Sequence, residues 1–398
     1  MEFFDTLETR SKDARHADLL AGVNQQIAYL CNTPGAYLQD VAPLADLGEL
    51  ARLPVLRKAD LVRAQKDNPP FGNVPVGDIL HVFQSPGPIY EPGSAGHDWW
   101  RLGRFLHAAG IGQGDVIQNC FGYHLTPAGM IFESGARAVG ARVLPAGTGQ
   151  TELQVTAARD VGATAYAGTP DYLKIILDKA DSMGVQLGIS KAVVGGGALF
   201  PSLRQEYADR GITCLQNYAT ADLGNIAYES PAMEGLIVDE HVVVEIVTPG
   251  TGTPVVPGEV GEVVVTSLNP DYPLVRFATG DLSAVLAGVS PCGRTNVRIK
   301  GWMGRADQTT KIKGMFVRPE QVAVLVDKHS EIQRARVIAS REGEMDQMTV
   351  QIEAEGGDQM QFARSVVEVL KLKGQVEVVA PGALPRDGLV IEDQRVYD

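Results

Sequence analysis

Short apolar runs alternate with amphipathic stretches through the middle of the chain. From about residue 115, "DVIQNCF" is an apolar run of strand length. "LTPAGMIFESGARAVGA" follows, with apolar positions at helical spacing and Pro127 in its first turn. The alternation continues through "ARVLPAG", a helix near 151–161, "ATAYAGT", a helix opened by Pro170, "KAVVGGGAL", a helix opened by Pro201, and "TCLQNYA". Strands of this length alternating with helices predict parallel βαβ units, with ligands at the carboxyl ends of the strands.

After residue 236 the pattern changes. "HVVVEIVTP" and "GEVGEVVVTSL" are β-rich and are joined by the hairpin-like "GTGTPVVP", which predicts a small antiparallel sheet or barrel. A third pattern begins near 307: strand "TKIKGMFV", a helix opened by Pro319, strands "ARVIAS" and "MTVQIEA", helix "MQFARSVVEVLKLK" and strand "QVEVVA". That β-α-β-β-α-β order is the ferredoxin-like split. The fold expected is α/β: a large N-terminal α/β domain over 1–306, with a β-rich subdomain at about 236–300, and a small C-terminal α+β (ferredoxin-like) domain over 307–398.

Composition narrows the partners. With 398 residues the chain exceeds one ordinary core, so two or three domains are expected. A formal net charge of −13 argues against nucleic acid, because phosphate backbones select basic surfaces. No apolar run is long enough to span a bilayer. The start, "MEFFDTLETRSKDARHADLL", is charged and amphipathic and does not read as a secretory signal, so a cytoplasmic location is expected. Cys31, Cys120, Cys214 and Cys292 lie far apart without a C-x-x-C and read as reduced structural thiols.

Three stretches carry candidate chemistry. "VGGGALFPSLRQEY" places Gly195, Gly196 and Gly197 between a strand and a helix, where backbone can approach a flat ligand, although glycine-rich turns of this kind are common. "NYATADLGNIAYE" presents Tyr218, able to stack on a base, and Asp222, able to hold Mg²⁺ beside phosphates; equally, Tyr218 fills a core and Asp222 caps a helix. "VRFATGDLSAV" and "GWMGRADQTTKIKGMFVRPEQV" place Asp281 in a turn suited to ribose hydroxyls, and Gly304, Arg305 and Asp307 at the domain boundary.

In this order, "YATAD", "RFATGDL" and "GRADQTTKIKGMFVRPEQV" resemble the adenine, ribose and hinge motifs of the adenylate-forming (AMP-binding) superfamily, and phenylacetate-CoA ligase and its relatives in particular. "LARLPVLRKADL", "GDVIQNCFGYHLTPAG" and "VLPAGTGQTELQVTAARDVGATAYAGTPDYL" extend the resemblance from about residue 45 to the end. It implies an AMP-forming acyl-CoA ligase for an aryl or arylacetic acid, using ATP, Mg²⁺ and coenzyme A, with a homodimer suggested by relatives. Residues 1–306 would be the AMP-binding domain and 307–398 a mobile lid. Gly195–Gly197 and Tyr218 would line the adenine site, with Ser85 and Gly87 on the phosphate loop. Asp222 stands where the family has a magnesium-binding glutamate. Asp281 would hold the ribose with Arg305 nearby, and Asp307 would be the pivot. Lys313 and Gly314 would lie on the loop entering the site for thioester formation. Phe121, Tyr123 and Ala219 would form the acid pocket, where the two aromatic rings read equally as core.

Two departures bear on activity. "FQSPGPIYEPGSAG", residues 83–96, is the positional descendant of the phosphate loop, but its prolines remove amide donors and no lysine is present. In the tail, "GALPRDGLVIEDQRVYD", Leu389 follows Gly388 where the family places a lysine, with Arg386 or Lys313 as candidate replacements for its charge. Loss of one such donor costs on the order of 10²–10³ in rate. An adenylating ligase is therefore the first expectation. A degenerate homologue that binds AMP, acyl-AMP or coenzyme A, or runs only the thioester half-reaction, is the second.

Overall fold

The computed structural model describes residues 2–85, 89–308, 310–313, 315–342, 345–385 and 389–395, with the backbone alone for Asp307, Lys311, Phe316, Glu342 and Met345. It divides into an N-terminal unit, residues 1–279 and 284–301, and a C-terminal unit, residues 280–283 and 302–398.

In the N-terminal unit, helices α1 (Lys12–Asn32) and α2 (Lys58–Asp67) flank a two-residue strand β1 (Leu56–Arg57) and lead to a hairpin of β2 (His81–Ser85) and β3 (Ile89–Gly93). After the short helix α3 (Gly103–Ala108) the alternation expected from the sequence begins. Its strands are β4 (Val116–Asn119), β5 (Arg142–Pro145), β6 (Ala165–Gly168), β7 (Lys191–Val194) and β8 (Thr213–Thr220). Its helices are α4 (Ala128–Ala138), α5 (Thr151–Asp160), α6 (Pro170–Ser182) and α7 (Pro201–Asp209). Pro170 and Pro201 stand in the first turns of α6 and α7, where a missing N–H costs nothing. Pro127 sits one residue before α4, not inside its first turn.

The strands run parallel in the order β5-β4-β6-β7-β8. Side-chain alternation loads both faces of the sheet. Ala165, Ala167, Val193 and Leu215 join Phe105, Ile117 and Phe132 in one core, while Tyr166, Ala192, Val194 and Cys214 join Leu173 and Tyr207 in another. The four cysteines are free, and burial pushes the thiols of Cys120 and Cys214 up to about 12.

At Gly224 the chain reverses. Its φ of +72° and the 2.7 Å that would separate an added Cβ from the Trp100 carbonyl require glycine there. β9 (Gly224–Tyr228) and β10 (Leu236–Val238) then extend the sheet antiparallel, followed at its edge by β15 (Arg298–Ile299) and β14 (Val285–Leu286). β11 (Val242–Val247), β12 (Gly261–Ser267) and β13 (Phe277–Ser283) instead form a four-stranded sheet with β1. Residues 236–300 thus contribute to two sheets, not to one small antiparallel sheet or barrel.

The C-terminal unit has a four-stranded sheet in the order β20 (Gln375–Val379), β19 (Met345–Ala354), β18 (Ile332–Glu342), β21 (Ile391–Asp393). α8 (Pro319–Asp327) and α9 (Gln359–Leu370) bury Val322, Leu325, Phe362 and Val366 with Val337, Met348 and Val350 of that sheet. "TKIKGMFV" is not one strand. It is a hairpin of β16 (Thr310–Ile312) and β17 (Met315–Val317) in its own two-stranded sheet. Lys313, at φ +49°, takes the left-handed conformation that ends the first half.

Candidate functional site

The N-terminal unit gathers its charged candidates around the β2–β3 hairpin. α2 begins at Lys58, and one helix face later Gln65 clamps β3 in both directions. Its Nε2 donates to the Tyr90 carbonyl at 2.8 Å, and Tyr90 N donates to its Oε1 at 2.9 Å. That fixes the strand's alternation, so Tyr90 faces out while Ile89 and Glu91 face in. Glu91 has no solvent exposure, and the polar groups that face its carboxylate are the side chain and backbone of Ser85 on the paired strand. Burial first, and the charge of Asp222 second, push its carboxyl up to about 8; polar groups of Ser85 and the ammonium of Lys58 offset part of this.

Asp222 sits in the turn between β8 and β9, just past the carboxyl end of a central strand, and caps no helix. Thr220 Oγ1 accepts from Leu223 N at 3.2 Å within this turn. Arg101, buried and at φ +64°, supports the turn from behind by donating to the carbonyls of Leu223 and Asn225. Lys58 Nζ donates to Asp222 Oδ2 at 3.0 Å; the carboxylate is 1% exposed and the lysine 38%. Asp222 Oδ1 is buried without a hydrogen-bond partner among the described residues. No group of three or more His, Cys, Asp or Glu side chains among the described residues is arranged to hold a metal.

The glycine run follows β7. Gly195 N donates to the Gly168 carbonyl at 3.2 Å, and an added Cβ on Gly195 would lie 2.4 Å from Asn217 Oδ1. The close approach that needs this glycine is therefore to Asn217 of β8. Gly196 (φ +68°) and Gly197 are exposed, the first within 3.9 Å of Phe121 and the second 3.3 Å from Pro170 by the same measure. Tyr218 is buried in the core beneath β8 and β9, and Ala219 beside it is half-buried. Phe121 stacks on Phe132 at 4.4 Å in the main core. Tyr123 accepts from Asn119 Nδ2 at 2.8 Å, and its ring lies against Gly129. Burial, more than nearby Glu133, raises its phenol well above the ordinary value.

In the C-terminal unit, Asp281 and Arg305 come together. They form a β-bridge, Arg305 Nη1 donates to Asp281 Oδ1 at 3.2 Å, and Trp302 Nε1 donates to the same oxygen at 3.1 Å. Gly280, at φ +75°, leaves room for the guanidinium, which would lie 2.7 Å from an added Cβ. The backbone of Asp307 lies in a 3-10 turn, Ala306–Gln308, and its side chain is outside the described residues. Gln308 Oε1 accepts from Val390 N at 2.6 Å and Ile391 N at 3.3 Å, tying this turn to the tail. Lys313 is exposed and its N donates to Asp346 Oδ2 at 3.2 Å. Leu389 is 38% exposed. Gly87, Gly314, Arg386 and Gly388 lie outside the described residues.

Ser85 and Asp222 thus belong to one cluster in the N-terminal unit, and Asp281 and Arg305 to one in the C-terminal unit. Sequence reasoning missed Lys58, Glu91, Asn217, Trp302 and Gln308. Lys58 stood inside a quoted stretch without a role. Glu91 had a signal, since it shares the parity of Ile89 in "IYEPG" and so points inward on any strand that buries the isoleucine.

No family model matches the chain. It is 30% identical over 326 residues to the phenylacetate-coenzyme A ligase of Thermus thermophilus, covering 77% of this chain and 72% of that one. To the phenylacetate-coenzyme A ligase of Pseudomonas putida it is 28% identical over 422 residues, covering 96% and 94%. The crystal structure of 2-hydroxyisobutyryl-CoA ligase in the postadenylation state, in complex with 2-HIB-AMP, matches with a TM-score of 0.80 at 23% identity, over 97% of this chain and 91% of that one.

Proposed function

The chain belongs to the phenylacetate-CoA ligase family of adenylate-forming enzymes, and we propose that it joins a carboxylic acid to ATP as acyl-AMP and passes the acyl group to coenzyme A. The observation that carries this reading is the pairing of buried Asp222 with partly exposed Lys58 at the carboxyl end of β8, where an open α/β sheet presents its ligand site. In the first half-reaction an oxygen of the acid attacks the α-phosphorus and pyrophosphate leaves, so negative charge builds on phosphate oxygens. Lys58 brings an ammonium to that end of the sheet. The orphaned, hard Oδ1 of Asp222 suits Mg²⁺, which when bound neutralises charge on phosphate oxygens. Gly196 and Gly197 leave backbone open for a flat base beside Tyr218; within the C-terminal unit, Asp281, oriented by Arg305 and Trp302, is the residue assigned to the ribose hydroxyls.

An aryl or arylacetic acid is the substrate class proposed. Phe121, stacked on Phe132, would lie 3.9 Å from a Cβ added at Gly196, and Asn119, whose Oδ1 accepts from Phe121 N, donates to the Tyr123 hydroxyl, so a ring and a polar group stand close to the glycine turn. The C-terminal unit acts in this reading as a ferredoxin-like lid turning at Asp307 in a cytoplasmic enzyme, with Lys313 and Gly314 on the loop that serves thioester formation.

One observation favours a second reading, in which only the thioester half-reaction runs. Leu389 holds the tail position where the family's lysine would stand, and it brings no charge. Acid-dependent exchange of labelled pyrophosphate into ATP separates the two. Exchange supports the ligase. No exchange, with coenzyme A still consuming synthetic phenylacetyl-AMP, supports the thioester-forming half alone. Neither activity overturns both.

A further inference from the structure

Asn119 is the last residue of β4 and has no solvent exposure. Side-chain alternation puts it on the same face of the strand as Ile117, which packs with Ile131 and Phe132 of α4. A buried amide must be hydrogen-bonded, because leaving it unpaired costs more than the bond returns. All three of its side-chain bonds go forward, to the β4–α4 loop and the start of α4. Its Oδ1 accepts from Phe121 N at 3.2 Å, which turns the chain as it leaves the strand. Its Nδ2 donates to the Tyr123 hydroxyl at 2.8 Å and to the Gly129 carbonyl at 2.8 Å. One amide thus fixes the loop at its beginning, its middle and its end. Gly129 closes the same loop, its N donating to the Gly122 carbonyl at 2.9 Å, and the Tyr123 ring would lie 2.7 Å from a Cβ added at Gly129.

The loop held in this way is not a relaxed one. Leu125 takes φ +64° with its side chain exposed, a left-handed conformation that persists only where neighbouring contacts impose it. Its carbonyl accepts from Gln84 N of β2 at 2.9 Å, so the far side of the loop meets the β2–β3 hairpin. The near side carries Phe121, within 3.9 Å of a Cβ added at Gly196. The loop therefore spans from the glycine turn after β7 to the hairpin, and Asn119 sets its course. An apolar side chain would fill the same space but strip Phe121 N and the Gly129 carbonyl of their partner. We propose that Asn119 is a positioning residue for the acid: through the loop it holds the Phe121 ring at the glycine turn, and this placement makes the chain select an aryl acid over a short-chain one. The proposal rests on the ligase reading and its aryl substrate class, and adds the residue that sets the preference. The Tyr123 hydroxyl serves in it as the partner of Asn119, not as a ligand of the acid.

The test is calorimetric binding to the full chain, without turnover, of AMP and of the 5′-sulfamoyl adenosines of phenylacetate and acetate, which mimic acyl-AMP and do not react. The ratio of the two sulfamate affinities reads the acid alone, because the nucleotide part is common to both. In Asn119→Ala this ratio is expected to fall about tenfold, while the affinities for AMP and the acetyl compound stay within about twofold of wild type. Tyr123→Phe cuts one of the bonds and is expected to lower the ratio about threefold. The double variant should lose no more than Asn119→Ala, since the hydroxyl acts through the asparagine. An unchanged ratio in folded Asn119→Ala overturns the proposal and leaves the ligase reading standing. An equal loss for all the ligands overturns it as well, because the asparagine would then be merely structural. Equal affinity of the wild type for both sulfamates removes the aryl preference and the proposal with it. If the wild type binds neither sulfamate nor AMP, the ligase reading falls and takes the proposal down. Should Asn119→Ala not fold, Tyr123→Phe decides: a reduced ratio supports the proposal, and an unchanged one overturns it.

Discussion

Replacing Glu91 by glutamine should make the N-terminal unit more stable, and increasingly so as pH rises. In the folded chain the Glu91 carboxyl is pushed from its ordinary 4.5 up to about 8 by burial and by Asp222. An acid whose folded value is raised binds its proton more tightly when folded. Its stabilising effect is complete below about 4.5 and is lost as pH rises through 8. At about 1.4 kcal/mol per pH unit, the wild-type protein loses roughly 4 kcal/mol from this group between pH 4.5 and pH 8. Glutamine keeps the shape and never ionises, so the loss is absent in the variant. The facing groups are Asp222 on the β8–β9 turn, Lys58 on α2, Ser85 on β2 and Tyr272, and all remain in place. The assay is thermal unfolding in EDTA without nucleotide, from pH 5 to pH 8.5, read by fluorescence of Trp99 and Trp100. Both lie in this unit, just beyond β3. Titration of other groups cancels in the difference between the two proteins. The gap between their melting temperatures should widen steadily with pH. Parallel curves would refute the reasoning, because they would mean that Glu91 reaches water or a partner when folded.

Lys58→Ala should leave the Asp222 carboxylate buried without its cation and slow acid-dependent pyrophosphate exchange by roughly 10²–10³, while thioester formation from supplied acyl-AMP changes little. Asp281→Ala removes the acceptor shared by Arg305 and Trp302; AMP affinity should fall about 10- to 100-fold, as expected for hydrogen bonds to a charged group, and unchanged affinity would remove Asp281 from the ribose site. Leu389→Lys should raise the adenylation rate if the tail reaches the phosphates, and an unchanged rate in the exchange assay would show that it does not. Gln308→Ala frees the amides of Val390 and Ile391, so their hydrogen exchange should accelerate ahead of the rest of β21.

The parallel sheet was legible because each of its elements carries a local signal: strand-length apolar runs, helical spacing, and prolines at helix starts. What escaped depends on distant pairing. The β-rich stretch reads as uniform, but β10 finds β9 while β11 finds β12, and nothing in the local alternation separates them. "TKIKGMFV" alternates like a strand, and only the left-handed Lys313 divides it. Asp222 was legible from its motif, but Lys58, which holds it, lies 164 residues earlier. Glu91 is one acid in a proline-rich stretch, and its burial is imposed by Gln65 on another element. Asp281 and Arg305 were legible together because the order of their motifs carries the signal. The local sequence does not decide between pocket and core for Phe121 and Tyr123, and Phe121 stands in the core with one edge toward Gly196.

The central claim is that this chain makes acyl-CoA at the expense of ATP. The most direct measurement mixes the purified chain with Mg-ATP, coenzyme A and phenylacetate, then follows AMP and the thioester by mass. The account predicts AMP and phenylacetyl-CoA in equal amounts, both dependent on the acid. AMP and thioester both absent across a panel of aryl and short-chain acids, from protein that still binds AMP, would contradict it.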